Sequence, residues 1–210
     1  MKVNFKNITV SNIITLAVAI AVITIIISIW VNNAKRSHKQ MVMDWRDQKD
    51  TYFKTNDDSP ILDRENFTGL NYFDPSIDFR SEAKLNLLND TIPITMLRTD
   101  GKKESYIKYA IATFKLQKKE YQLTLFKSLK NPDNEHVLFV PFTDKTSGDL
   151  TYKSGRYMDL EIKEGKPAII DFNYAYNPFC AYNPRFSCPI PPLSNYLDVE
   201  ILAGEKPFEK

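Results

Sequence analysis

Tyr157-Met158-Asp159-Leu160-Glu161-Ile162-Lys163-Glu164-Gly165-Lys166-Pro167-Ala168-Ile169-Ile170-Asp171-Phe172 is the stretch whose reading decides the fold class. Met158, Leu160 and Ile162 alternate with Asp159, Glu161 and Lys163, the period-2 pattern of a strand with one buried face. Glu164-Gly165-Lys166 turns the chain, and Ala168 to Phe172 returns. Working outward, the pattern recurs. Val137 to Phe142 is apolar on both faces, with Pro141 marking an end or a bulge. Tyr121, Leu123 and Leu125 alternate with Gln122 and Thr124, and Tyr106 to Leu116 has the two apolar faces of a central strand. Ile92 to Thr99 ends at the hairpin dipeptide Asp100-Gly101. Leu197, Val199 and Ile201 alternate near the C-terminus. About seven strands with short connections and no helical pattern between them predict a mainly β domain, an antiparallel meander folded into a small barrel or sandwich. Residues 61–90 are expected to be irregular, and Phe67 to Pro75 within them has loop chemistry with aromatic anchors.

Before this domain the pattern changes. From Asn7 to Ala34 there is no Asp, Glu, Lys or Arg, and Ile13 to Val31 holds twelve Ile, Leu or Val residues. At 1.5 Å per residue that core spans about 28 Å, close to the hydrocarbon thickness of a bilayer. Thr15, Thr24 and Ser28 can bond back to helix carbonyls, and Trp30 sits where an indole prefers the interface. A cleaved signal peptide is the alternative. Its core would run about 7–15 residues and end at a small-x-small site, which Asn32-Asn33-Ala34 matches poorly. Ser37 to Lys54 is expected to form a separate amphipathic helix, N-capped by Ser37, with Met41, Trp45 and Tyr52 on its apolar face and Val42 and Phe53 beside it. Asn56 to Pro60 stops it. The organisation expected is therefore a short tail at 1–12, a transmembrane helix at 13–31, a linker and amphipathic helix at 32–60 and a β-rich soluble domain at 61–210.

Orientation draws on opposing signals. Lys2 and Lys6 precede the apolar core, and Lys35, Arg36 and Lys39 follow it, which counted naively keeps the domain cytoplasmic. Long domains translocate largely regardless of flanking charge, and a short basic start before an apolar core is how export signals begin. An extracytoplasmic, cell-envelope location is the expectation. The chain has 210 residues with 28 Lys and Arg against 26 Asp and Glu, interspersed throughout. No basic stripe is present, which argues against nucleic acid as a partner.

Two segments differ from scaffold. The first joins two strands and gathers Asp144, Thr146, Ser147, Tyr152 and Arg156. An Arg among hydroxyls and aromatics can clamp a carboxylate or phosphate with two parallel bonds. It can equally pair internally with Asp144 or Asp171 to hold the loop. The second runs from Asp171 to Pro192 and is rich in Asn, Pro and aromatics, the composition of a rigid loop. Asp171, Asn173, Tyr176, Asn177 and Tyr182 are its candidate ligand-binding residues, lining a pocket or forming a lid.

Cys180 and Cys188 are the only cysteines. They are too few for a zinc site, and seven intervening residues are not the two of a redox motif. A disulfide is the simplest reading in an exported domain. In a cytoplasmic one both stay thiols, and activation of a cysteine by His136 becomes conceivable. Ser81-Glu82-Ala83-Lys84 and Lys153-Ser154-Gly155 mimic acyl-enzyme boxes without the helical domain they need. Asp144 to Asp149 lacks the ligand spacing of a calcium loop. No metal or cofactor is called for, and no catalytic motif is recognised.

Phe142-Thr143-Asp144-Lys145-Thr146-Ser147-Gly148, Gly155-Arg156-Tyr157-Met158-Asp159-Leu160, Asp171-Phe172-Asn173, Tyr176-Asn177-Pro178-Phe179-Cys180-Ala181-Tyr182, Cys188-Pro189-Ile190-Pro191-Pro192 and Ala203-Gly204-Glu205 together resemble a bacterial and archaeal family known as domain of unknown function 1684. The resemblance runs from about Trp45 to Lys206. It implies an exported or envelope-associated protein and no activity. The chain departs from it in an uncleaved helix where many members have a signal peptide. The expected function is a membrane-anchored binding module for a small ligand or an envelope partner. The alternative is a membrane-anchored hydrolase using Asp or Tyr acid–base groups.

Overall fold

The structure, a computed structural model, describes residues 10–89, 92–130, 137–163 and 165–208. Lys2, Lys6, His136 and Glu164, invoked above, lie outside them. The chain divides into two compact units, Met1–Met41 and Val42–Lys210. The helix α1, Val10–Thr55, contributes to both, and its two parts are described separately.

In the first unit α1 exposes its aliphatic side chains from Ile13 to Val31. It is long and apolar enough to cross a membrane by length and composition, a test that a signal sequence also passes. Thr15 and Thr24 donate to the carbonyls of Ser11 and Ala21, at 2.9 and 2.8 Å, so neither hydroxyl is left without an acceptor.

The second unit corrects the expectation of a separate amphipathic helix. The helix is continuous through Ser37, which therefore caps nothing. The stripe packed on the domain is Val42, Arg46, Lys49 and Phe53, with Val42 and Phe53 buried, whereas Met41 and Tyr52 are exposed. Hydrophobicity misled here because two cations lie on the buried side, each supplied with acceptors. Arg46 donates to the carbonyl of Phe73 at 2.9 Å and stacks over the Tyr72 ring at 4.4 Å. Lys49 pairs with Glu205 at 2.7 Å.

Among the described residues eight strands follow: β1 Arg80–Leu87, β2 Ile94–Leu97, β3 Lys103–Leu116, β4 Lys119–Ser128, β5 Val137–Asp144, β6 Arg156–Glu161, β7 Ala168–Asp171 and β8 Tyr196–Leu197. They form a mainly antiparallel, nearly closed barrel-shaped sheet in the order β6-β5-β4-β3-β1-β7, with β2 paired to β3 and β8 parallel to β5. Two readings are corrected. The region 61–90 is not wholly irregular, since it contains β1. That strand is polar in sequence because most of its side chains face outward. The segment returning from Gly165 does form a strand, but β7 pairs with β1, Arg80 opposite Asp171, and not with β6. The free edge of β6 is taken instead by Tyr176, whose backbone exchanges hydrogen bonds with Tyr157 at 2.8 and 2.9 Å. Past β8, Val199 and Ile201 keep their burial without being strand.

A register shift between Lys108 and Ala110 sets up the functional geometry. Before it Lys108 faces Phe126; after it Ala110 faces Leu125. An extra residue in a period-2 pattern reverses the side-chain phase. Ala110, Ala112 and Phe114 thus join Leu123, Leu125, Val140 and Leu160 in the main core. Tyr106 and Phe126 go to the opposite face, where they meet Met96 in a second cluster flanked by Ile94 and Phe139.

Candidate functional site

The first predicted segment turns inward. Arg156 and Asp144 are 1% and 3% exposed, and Arg156 donates to Asp144 Oδ2 at 2.9 Å. The same guanidinium reaches the carbonyls of Ile201, Ala203 and Glu205. Asp144 Oδ1 accepts from the Thr146 backbone at 2.8 Å and from the Thr146 hydroxyl, which also meets the Thr151 hydroxyl. Ser147 Oγ accepts from the Asp144 backbone at 3.1 Å. These bonds tie the loop before β6 to the C-terminal strip and leave no fork for a ligand. Burial lowers the Arg156 pKa and the Asp144 charge opposes that fall.

Most of the second segment is also internal. Asp171 caps the turn at Asn173, accepting from its backbone and side-chain amides at 3.0 and 2.7 Å. Asn173 exchanges bonds with Ser76 on both sides of its amide, each at 2.8 Å. Asn177 donates to Glu205 and Lys206, at 3.0 and 2.7 Å. The Tyr182 hydroxyl donates to Glu205, and its ring packs edge-on against Phe53 and Phe208. Glu205, 1% exposed, is the hub of this side and was visible in the sequence only as part of a family-like string. Lys49 completes it, with its ammonium 5.0 to 5.9 Å from the rings of Trp45, Phe53, Tyr176 and Tyr182.

Of the predicted set, Tyr182 lines one groove and Tyr176 borders another. The Tyr176 hydroxyl donates to Asp159 Oδ2 at 2.9 Å. Asp159 belongs to a cleft of about 300 Å³ lined by Glu104, Tyr106, Ser128, Lys130, Val137, Phe139 and Asp159. Aromatic rings build its wall. Tyr106 stacks on Phe139 with centroids 5.5 Å apart, Tyr157 meets Phe139 edge-on at 4.7 Å, and Tyr176 meets Tyr157 at 6.0 Å. The phase reversal in β3 puts Tyr106 there. A second groove of about 450 Å³ lies against Ile61, Phe67, Tyr182 and Phe208, with Asp63 as its only ionisable carboxylate.

The two carboxyls of the aromatic cleft differ in environment. Asp159 is open to solvent at the mouth but hemmed in at the sides. Burial lifts its pKa above the ordinary carboxylate range, while the Tyr176 hydrogen bond and the Lys49 charge hold it back. Burial also disfavours the Glu104 charge, yet donation from Lys130 and Tyr106 and the Arg98 charge prevail and hold it below its ordinary value. Glu104 accepts from Arg98, from Tyr106 at 2.8 Å and from Lys130 at 3.0 Å. Burial pushes the Tyr176 hydroxyl well above its usual pKa, so it remains a donor. Asp159 escaped the sequence reading because it sits on the solvent side of an alternating strand. The available signal was that neighbouring β5 is apolar on both faces, so a second covered face had to exist.

The cysteines correct another expectation. Cys180 and Cys188 are free thiols, not a disulfide. The Cys180 backbone donates to Cys188 Sγ at 3.2 Å, and the Tyr152 hydroxyl lies 3.7 Å from Cys180 Sγ. Tyr152 is thereby placed beside a thiol and apart from the aromatic cleft. Among the described residues no three His, Cys, Asp or Glu side chains gather as a metal site would require.

The model of the family described as "Protein of unknown function (DUF1684)" matches residues 65–206. The solution NMR structure of an uncharacterized protein from Haloarcula marismortui is similar, with 39% identity, 81% of this chain and 95% of that one covered, and a TM-score of 0.64. Among curated proteins none matches.

Proposed function

The chain belongs to the DUF1684 family, and on that premise we propose that it is a membrane-anchored binding module whose aromatic cleft holds a small polar ligand at Asp159. The observation that carries this reading is the Asp159 carboxyl itself. It has one hydrogen-bond partner, Tyr176, and faces a ring-lined concavity. Concave sites with an apolar wall and few convergent polar groups are the usual form of small-ligand sites. The apolar core from Ile13 to Val31 supplies the single-pass anchor, and the short basic start before it supports a domain on the extracytoplasmic side. An extended side chain of an envelope protein would meet the same groups.

A hydrolase is favoured by one specific observation: Glu104 and Asp159 share the cleft with pKa values displaced in opposite directions. Against it, Glu104 is held ionised by three donors, which leaves Asp159 as the carboxyl with room to exchange a proton. One experiment separates the readings. The full-length chain in detergent, methyl-labelled, is titrated with a panel of small polyols, amines and amino acids. Binding is expected to shift the Val137 methyl signals and to vanish in Asp159→Asn. Shifts confined to the Phe67–Phe208 groove, or none, overturn the proposal. Turnover of chromogenic esters or glycosides that Asp159→Asn abolishes replaces it with the hydrolase.

A further inference from the structure

Cys180 and Cys188 are held together although their spacing matches no redox motif. Cys188 is fixed from both sides: its backbone donates to Thr99 Oγ1 at 3.2 Å, and its carbonyl accepts from the Thr99 backbone at 3.0 Å. Its neighbours are fixed as well, by Tyr157 bonding to the Pro189 carbonyl and Arg98 to Ser187. Cys180 is the middle residue of the 3-10 turn Phe179–Ala181, and its backbone N–H points at Cys188 Sγ. Cys188 is 7% exposed, whereas Cys180 is half-buried and reaches solvent. Cys180 is therefore the more accessible of the two, and Cys188 Sγ lies 3.2 Å from its backbone nitrogen.

We propose that this pair is a reversible oxidant-reactive dithiol, in which Cys180 attacks a hydroperoxide and Cys188 resolves the product as a disulfide. The electrostatics assign the same roles. The Cys188 thiol donates to Cys180, and Tyr152 and Thr99 assist, bringing the Cys180 pKa down to about 6. The same bond, with burial, pushes Cys188 up, so it keeps its proton. At neutral pH Cys180 is the thiolate, the form that reacts.

The chemistry balances in two steps. The Cys180 thiolate attacks one peroxide oxygen; the S–O bond forms, the O–O bond breaks and hydroxide leaves. Sulfur is oxidised by two electrons to a sulfenic acid and the peroxide is reduced. The Cys188 sulfur then attacks Cys180 Sγ. The S–S bond forms, the S–O bond breaks, and the departing hydroxide takes the Cys188 proton as water. A small dithiol returns the pair to thiols by exchange. None of these steps uses the aromatic cleft.

The test uses the full-length chain in detergent, reduced and then treated with hydrogen peroxide at neutral pH. Both thiols should become unreactive to maleimide, the tryptic fragment carrying them should lose two hydrogens, and dithiothreitol should restore both. Cys188→Ser should stop at a Cys180 sulfenic acid that dimedone traps. Cys180→Ser should react about tenfold more slowly. Limited iodoacetamide labelling of the unaltered chain, which needs no variant to fold, should modify Cys180 first, with a rate midpoint at about pH 6. Labelling of Cys188 first, cross-linking between chains in place of internal closure, or a disulfide that dithiothreitol does not reopen in the folded protein would each overturn the proposal.

Discussion

Arg156 shows how little a residue type says before its surroundings are known. One carboxylate and three backbone carbonyls hold its guanidinium, with no access for solvent. Removing one partner of a buried pair leaves the other charged and desolvated, a loss of about 3–5 kcal/mol. Arg156→Ala should therefore lower the unfolding midpoint steeply in urea titrations of the full chain. A change within about 0.5 kcal/mol, the usual range for exposed sites, would mean the guanidinium is not holding the fold. Asp159 behaves oppositely. Its carboxyl has a raised pKa in the folded state, so ionisation favours unfolding: its stability contribution is full below the ordinary carboxylate value and falls as pH rises through the raised one. Asp159→Asn keeps an acceptor for Tyr176 and cannot ionise. It should raise the melting temperature at neutral pH, leave it unchanged below the carboxylate range and abolish ligand retention. A variant less stable than the parent at neutral pH would refute that assignment. The sequence offered both roles for Arg156, clamp and internal pair, because composition does not say which way a side chain faces. Asp159 was legible only as the polar half of an alternation.

At the scale of elements, β3 to β6 were legible because period-2 alternation is local and their apolar residues are large. The pairing of β7 with β1 was not, because it joins positions about ninety apart through the curl of the sheet, and no local signal records closure. The last turns of α1 show a different failure. Arg46 and Lys49 occupy the packed side, so the apolar stripe looked displaced from Val42 and Phe53 towards Met41 and Tyr52. The Phe53 ring lies among Phe67, Phe179 and Tyr182, with centroids 5.1 to 6.4 Å away. Truncating such a ring to alanine removes its burial and leaves a cavity, together about 3–5 kcal/mol. Phe53→Ala should show that loss in urea unfolding, while Tyr52→Ala should change stability little. Equal losses from the two would restore the displaced stripe and refute the face assigned here.

For the whole molecule, the apolar core from Ile13 to Val31 and the family were both plain in the sequence, since each rests on contiguous residues. The compact unit that carries the sheet starts at Val42, inside α1. Glu205 and Phe73 near the sheet take Lys49 and Arg46, two cations on the packed side of α1, as partners. This sets different outcomes for two shortened chains. A chain beginning at Lys35 loses the apolar stem and keeps Val42, Arg46, Lys49 and Phe53. It should remain in the supernatant after lysis and keep a cooperative thermal transition. A chain beginning at Ser59 loses all four, strands the buried Glu205 charge and exposes Phe67 and Tyr182, so it should aggregate or melt without cooperativity. The full chain should sediment with membranes and resist a carbonate wash, as a bilayer-crossing helix does. If the full chain washes off, the stem is not an anchor. If the chain from Ser59 melts like the chain from Lys35, the end of α1 is an attachment to the domain and not a part of its core.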